Sequence, residues 1–188
     1  MKKSNLLKKG GIDTILAYIV VSIPLFYVLI FMIATLYHFS VQMHINQTLK
    51  ETLIMASSYG QLTEGMLDYL FENISNVGDD DMTWNLRIGV RGIDNDGNIT
   101  PITIYPNNSG DFYTGISSGS VGINLSMFDN PTNLNKGDLL SVELVSNKPS
   151  LLGKLSRFSV FGSPSDDSDL YYSSYREEII ANVNPNDV

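Results

Sequence analysis

Apolar positions recur along this chain with three different patterns, and each predicts a different element. From Ile15 to Phe39 the sequence ILAYIVVSIPLFYVLIFMIATLYHF runs for 25 residues without Lys, Arg, Asp or Glu. As a helix it would be about 38 Å long, against a hydrocarbon core of about 30 Å. That length crosses a bilayer with some tilt, whereas a buried helix of a soluble domain is shorter and keeps a polar stripe. Beyond the run, Ile45, Leu49, Leu53, Ala56, Leu62, Met66, Leu70 and Ile74 recur at spacings near three, four or their multiples. Gln47, Lys50, Glu51, Ser57, Gln61, Glu64 and Asp68 fall mostly between them. This pattern predicts that the helix runs on as an amphipathic segment to about Asn73, with weak points at Gly60 and Gly65. Its apolar stripe needs a cover, and the C-terminal half of the chain is the candidate.

Gly78-Asp79-Asp80-Asp81 ends the helical pattern and the period changes to two. Trp84, Leu86, Ile88 and Val90 alternate with Asn85, Arg87 and Gly89, as in a half-buried strand. The turn chemistry of Asp94-Asn95-Asp96-Gly97-Asn98 is followed by Ile102, Thr103, Ile104 and Tyr105, which predicts a hairpin. Val121, Ile123 and Leu125 alternate again, and Lys136-Gly137-Asp138 makes a turn before Leu140, Val142 and Leu144. Further strands are expected at Leu155–Phe161 and Leu170–Tyr175, with loops over Pro106–Ser120 and Gly162–Asp169. There is no internal repeat. The predicted fold is α+β: a long N-terminal helix, half transmembrane and half amphipathic, packed on a small antiparallel β-sheet. Residues 1–11 form a basic leader, 12–39 the transmembrane helix, 40–76 its amphipathic continuation and 77–188 a β-rich extracellular domain.

Charge orients this arrangement. Lys2, Lys3, Lys8 and Lys9 precede the apolar run, and the next basic residue is Lys50. Of the 20 acidic residues only Asp13 lies before residue 40, so residues 40–188 hold 19 acidic and 8 basic side chains, a net charge of −11. The positive-inside bias therefore places the N-terminus in the cytoplasm and residues 40–188 outside, on a single pass. A cleaved secretory signal is the rival reading, but its apolar region is shorter and closes on small residues. Pro24 cannot donate to the carbonyl of Val20 and is expected to kink or loosen that turn. Asp13, at the cytoplasmic edge, has two readings. It is either an early helix residue in favourable contact with the helix dipole, or a buried carboxylate that seeks a cationic partner from another chain.

Composition removes several classes of function. The chain has 188 residues, no cysteine and a net charge of −8. Disulfide scaffolds, thiolate metal sites and cysteine nucleophiles are excluded, and an acidic surface is unsuited to nucleic acid. His38 and His44, the two histidines, are six apart and diverge on a helix, which places them badly for sharing a metal. No nucleophile elbow, phosphate-binding loop or dinucleotide fingerprint is present, and no cofactor is expected. Asp79-Asp80-Asp81, Asp94/Asp96/Asn98 and Asp166-Asp167/Asp169 are oxygen-rich, but none completes an EF-hand loop, and solvated turns account for them.

The order of these features resembles the type IV pilin-like superfamily, and in particular TadE-like minor pseudopilins. Gly10-Gly11-Ile12-Asp13-Thr14 is similar to the Gly-x-Ile-Asp-Thr N-terminus of a Gram-positive group among them, and so is the segment from Lys136 to Val142. The resemblance implies that a prepilin-peptidase-like enzyme cuts after Gly10 or Gly11 and that the exposed apolar helices then pack together. It also implies that Asp13 pairs with a neighbour's new N-terminal amine. The family's residue for that task is a glutamate at the fifth mature position, whereas Asp13 would stand second or third and is one methylene shorter. So read, the chain is a non-enzymatic subunit of a bacterial surface pilus, secretion or conjugation apparatus. Its partners would be the membrane, other copies or related pilin-like subunits, and the processing enzyme. The sequence also fits an anchored extracellular binding module, an adhesin or sensor ectodomain, that does not polymerise. An anchored hydrolase is disfavoured, because no convergent acid, base and nucleophile are visible.

Overall fold

The computed structural model describes residues 4–75, 77, 82–92, 96–100, 103–105, 112–116, 134–156 and 170–182. Helix α1 spans Ser4–Tyr59, 56 residues, and α2 spans Glu64–Ser75. Among the described residues five strands follow, β1 (Trp84–Arg91), β2 (Thr103–Tyr105), β3 (Tyr113–Ile116), β4 (Leu139–Pro149) and β5 (Tyr171–Ile179), with a short helix α3 (Leu151–Ser156) between the last two. The fold is α+β, as the change of period predicts. The chain divides into two compact units, Met1–Tyr37 and His38–Val188, and the sheet belongs wholly to the second.

The amphipathic half of α1 and the sheet are covers for one another. Val41, Ile45, Leu49, Leu53 and Ala56, spaced by four, four, four and three, form one buried stripe. Leu67, Leu70, Phe71 and Ile74 do the same on α2. On the sheet, Trp84, Leu86 and Ile88 of β1 and Leu140, Val142 and Leu144 of β4 are buried in the same core. Antiparallel register sets Leu86 opposite Leu144, Ile88 opposite Val142 and Val90 opposite Leu140, so one sheet face is a continuous apolar surface. Strand order is β2-β1-β4-β5, and β3 pairs with the same edge of β1 as β2, nearer its start.

The helix expected to run to about Asn73 is two helices. Gly60 takes a φ of +68°, the left-handed conformation that ends helices, and Gln61 N–H donates to the Ala56 carbonyl at 3.2 Å. Thr63 then caps α2, its hydroxyl accepting from Met66 N–H at 3.3 Å. Gly65, the other expected weak point, lies inside the first turn of α2 without breaking it.

Further along, the predicted hairpin pairs β1 with β2, and Gly97 at its turn has a φ of +81°. The Lys136-Gly137-Asp138 turn is present, with Gly137 at +97° and the Asp138 carboxylate accepting from Asn135 N–H at 2.8 Å. Three expectations need correction. Strand β3 lies within Pro106–Ser120, the stretch expected as a loop. Leu155 and Ser156 end a helix rather than opening a strand, because the Ser150 hydroxyl accepts from Gly153 N–H at 3.1 Å and caps α3. Strand β5 continues past Tyr175 to Ile179, since Arg176 and Glu178 fill inward positions where apolar residues would have marked the alternation. The Gly78–Asp81 stretch, Asp94, Asn95, Val121, Ile123, Leu125, Phe161 and Gly162–Asp169 lie outside the described residues.

Leu53 is fully buried at the centre of the α1 stripe, whereas Met43 is 71% exposed on the same helix. Replacing Leu53 by Ala is expected to cost about 2–5 kcal/mol through lost burial and the cavity left behind. Met43→Ala is expected to stay within about 0.5 kcal/mol. Urea unfolding of a fragment that starts at His38 measures both, and equal effects at the two positions would contradict the packing.

Candidate functional site

Gly10, Gly11, Ile12, Asp13 and Pro24, the candidate processing and assembly residues, all lie on α1 before residue 38. The helix runs through the glycine pair and through Pro24 without a break. Asp13 and Pro24 are exposed. Most side chains of the apolar run are exposed, while Ala34, near its end, is buried. Val28, Leu29, Ile30 and Phe31 fill one full turn and are 57, 48, 50 and 40% exposed. Two hydroxyls in the run bond back to the helix itself: Thr35 donates to the Phe31 carbonyl at 2.8 Å and Ser22 to that of Ile19 at 3.1 Å. A helix apolar all round with these hydroxyls tied back is compatible with lipid and unfavourable in water. By length and composition α1 is the one helix among the described residues long and apolar enough to cross a membrane.

From His38 onward the same helix is held along β5, an edge strand of the sheet. An edge leaves backbone groups unpaired, and side chains of α1 meet them at both ends. The Gln42 amide donates to the Ser173 carbonyl at 2.7 Å and accepts from Ser173 N–H at 3.3 Å. The Ser57 hydroxyl donates to the Ile179 carbonyl at 2.7 Å and accepts from Ala181 N–H at 3.2 Å, while Asn182 donates to the Ser58 carbonyl at 2.7 Å. Between Gln42 and Ser57 a helix rises about 22 Å, and between Ser173 and Ile179 a strand rises about 20 Å. The two elements therefore run in the same direction, in step and nearly parallel.

The histidines have separate packing roles. His38 stacks on Tyr172 with ring centres 5.0 Å apart, and His44 Nε2 lies 3.3 Å from the Asn73 carbonyl, joining α1 to α2. Among the described residues no three His, Cys, Asp or Glu side chains converge as a metal site would require. Of the oxygen-rich turns only Asp96 and Asn98 are described. A second polar link ties the helices: Gln47 and Tyr69 each donate to Glu51, both at 3.0 Å. These bonds hold the Glu51 carboxyl below the usual carboxylate range, and the bond to Glu51 raises the Tyr69 phenol.

The opposite face of the sheet is mixed and partly solvated. Arg87 and Glu143, directly opposite on β1 and β4, form an ion pair, with the Arg87 guanidinium 4.9 Å from the centre of the Phe112 ring. The pair is 32 and 21% exposed, which limits its contribution to about 0–1 kcal/mol. Tyr175 donates to Glu177 further along β5, which raises its phenol.

The clamp residues Gln42 and Ser57 are the functional positions least visible in the sequence. Both sit at the edge of the apolar stripe, where a polar side chain reads as solvent-facing. Comparison with protein-family models, with curated proteins and with solved structures finds no match in any of the three. Gln42→Ala removes both bonds to Ser173, each worth about 1 kcal/mol, and is expected to speed hydrogen exchange of the Ser173 amide by about fivefold to tenfold. Unchanged exchange at Ser173 would show that Gln42 does not hold the edge.

Proposed function

We propose that this chain is a non-enzymatic structural subunit of pilin-like or pseudopilin-like type, part of a bacterial surface pilus, secretion or conjugation apparatus. Its apolar run anchors it in the membrane with the N-terminus in the cytoplasm, and the domain from His38 onward stands outside. The observation that carries the reading is the change of character along one helix. From Ile15 to Ile33 the helix exposes most of its apolar side chains, and from Val41 one stripe of the same helix is buried in the core of an α+β domain. A plain anchor needs no such continuity.

Association through the apolar half cannot rest on the hydrophobic effect, because lipid is as apolar as another helix. Close packing and specific polar contacts must supply it. Asp13 is the acidic residue placed for this, and a free amine made by cleavage after Gly10 or Gly11 is the matching cation, with an attraction stronger at low dielectric than in water. Gly10 and Gly11 are helical, and a peptidase takes extended backbone. Each glycine weakens a helix by about 1 kcal/mol relative to alanine, so this turn is among the least costly in α1 to unwind.

The alternative is an extracellular binding module on a permanent anchor. It is favoured by the unbroken helix from Ser4 through Gly10-Gly11 and by the position of Asp13, close to the proposed cut. Mass spectrometry of the N-terminus, on protein taken from its native membrane, separates the two. A start at Gly11 or Ile12 supports leader removal and assembly, and an intact leader favours the binding module. With leader removal in place, Asp13→Asn is expected to stay inserted but to be lost from crosslinked assemblies. Normal recovery of the mutant in those assemblies would refute the role of Asp13.

A further inference from the structure

The middle of the apolar run holds a hydrogen-bond donor and a hydrogen-bond acceptor that its own helix leaves unanswered. Tyr27 stands twelve residues from Ile15 and twelve from Phe39, at the centre of the charge-free run. Either end is about 18 Å away along the helix, too far for a side chain to carry its hydroxyl to water. Tyr18, three residues inside the run, is close enough to reach the headgroups. Ser22 and Thr35 donate to carbonyls of their own helix. The Tyr27 ring stacks on Phe31 with ring centres 6.5 Å apart, and its hydroxyl makes no hydrogen bond among the described residues.

The acceptor is a backbone group. Pro24 has no N–H, so the carbonyl of Val20 lacks the donor that an ordinary residue four positions on supplies. In a membrane such a carbonyl is satisfied by a nearby Ser or Thr, by ordered water or by a neighbouring helix. Ser22, the hydroxyl closest in sequence, is committed to Ile19 at 3.1 Å. Val20 is 60% exposed, so the position is open from outside the helix. Seven residues are about 700° of helix, within about 20° of two whole turns, so Val20 and Tyr27 share one face. Their Cα atoms are about 10.5 Å apart along the axis. The donor and the acceptor are nearer in level than that, because a helical side chain leans toward the N-terminus and a carbonyl points toward the C-terminus.

We infer that Tyr27 donates to the Val20 carbonyl of a second copy of this chain, packed parallel to it in the membrane. Copies inserted with one topology are parallel, and each brings both groups on the same face. A two-fold pair therefore makes the bond twice, and a second copy answers the donor and the acceptor together. Hydrocarbon offers a partner to neither. The inference rests on the anchoring part of the function proposed above and needs neither leader removal nor Asp13.

The chain has no cysteine, so Met43→Cys, at a position 71% exposed just past the run, gives a single attachment point. The full chain is labelled there in two batches, with donor and acceptor fluorophores, and mixed in phosphatidylcholine vesicles. Energy transfer at rising lipid-to-protein ratio gives a dissociation constant. Tyr27→Phe removes only the hydroxyl, and Pro24→Ala returns an N–H to the Val20 carbonyl. Each is expected to weaken association about tenfold, for two bonds lost per pair, and the double variant no more than either alone. In every variant a separate Val28→Cys label, quenched by nitroxide lipid, reports insertion. Association of Tyr27→Phe equal to that of the parent chain would overturn the inference. So would a loss with Tyr27→Phe but none with Pro24→Ala, which gives the phenol another acceptor, or losses that add in the double variant. A parent chain that is inserted yet unassociated overturns it and leaves the anchor intact. An unquenched Val28 removes the anchor and the inference with it.

Discussion

The seam between α1 and the inner face of the sheet is the contact on which everything else in the structure depends. Val41, Ile45, Leu49, Leu53 and Ala56 share one buried core with Leu86, Ile88, Val142 and Leu144. An antiparallel sheet with one apolar face requires a second layer, and α1 with α2 provides it. Because the strip on α1 is straight and long, the sheet must lie along the helix rather than across it. That geometry brings β5 beside the helix and makes the clamps at Gln42 and Ser57 possible. It also sets the level at which β5 begins and the place where α1 has to stop, at Gly60.

In the function proposed, the same helix meets two solvents. Up to Phe39 the chemistry asks only for apolar side chains and satisfied backbone, so the sequence shows no stripe and Ser22 and Thr35 bond back to their own helix. From Val41 one side faces protein and the other water, and a stripe appears. One continuous helix thereby carries both the apolar run and the stripe buried in the domain core. That continuity suits a subunit whose helices pack with neighbours while its domain is presented outside, and it is the physical core of the function proposed here.

Legibility in the sequence followed the strength of each local pattern. Strand β1 was readable because Trp84, Leu86 and Ile88 are buried alternately against polar neighbours, and the turn at Gly137 because glycine there serves a left-handed backbone. Strand β3 was not, since Tyr113–Ile116 offers four residues and no clear alternation. Helix α3 depends on one cap, Ser150, in a stretch rich in serine. The break at Gly60 was visible as a weak point, but whether a helix bends or ends there is decided by the cap at Thr63 and by tertiary contacts such as Leu134 N–H on the Gly60 carbonyl. Of the candidate site, the apolar run was plain, and the roles of Gly10, Gly11, Ile12 and Asp13 rest on resemblance. The clamps were hidden, because a polar residue bonded to a strand edge 131 positions away leaves no local trace.

The most direct measurement is hydrogen exchange along α1 in the full chain, held in lipid nanodiscs, as urea is added. If one helix serves two solvents, amides of residues 40–59 lose protection together with those of β4 and β5, while amides of residues 15–39 keep theirs after the sheet has unfolded. Loss of protection over residues 15–39 in the same transition as the strands would contradict this, because the apolar half would then owe its helix to the folded domain and not to the membrane.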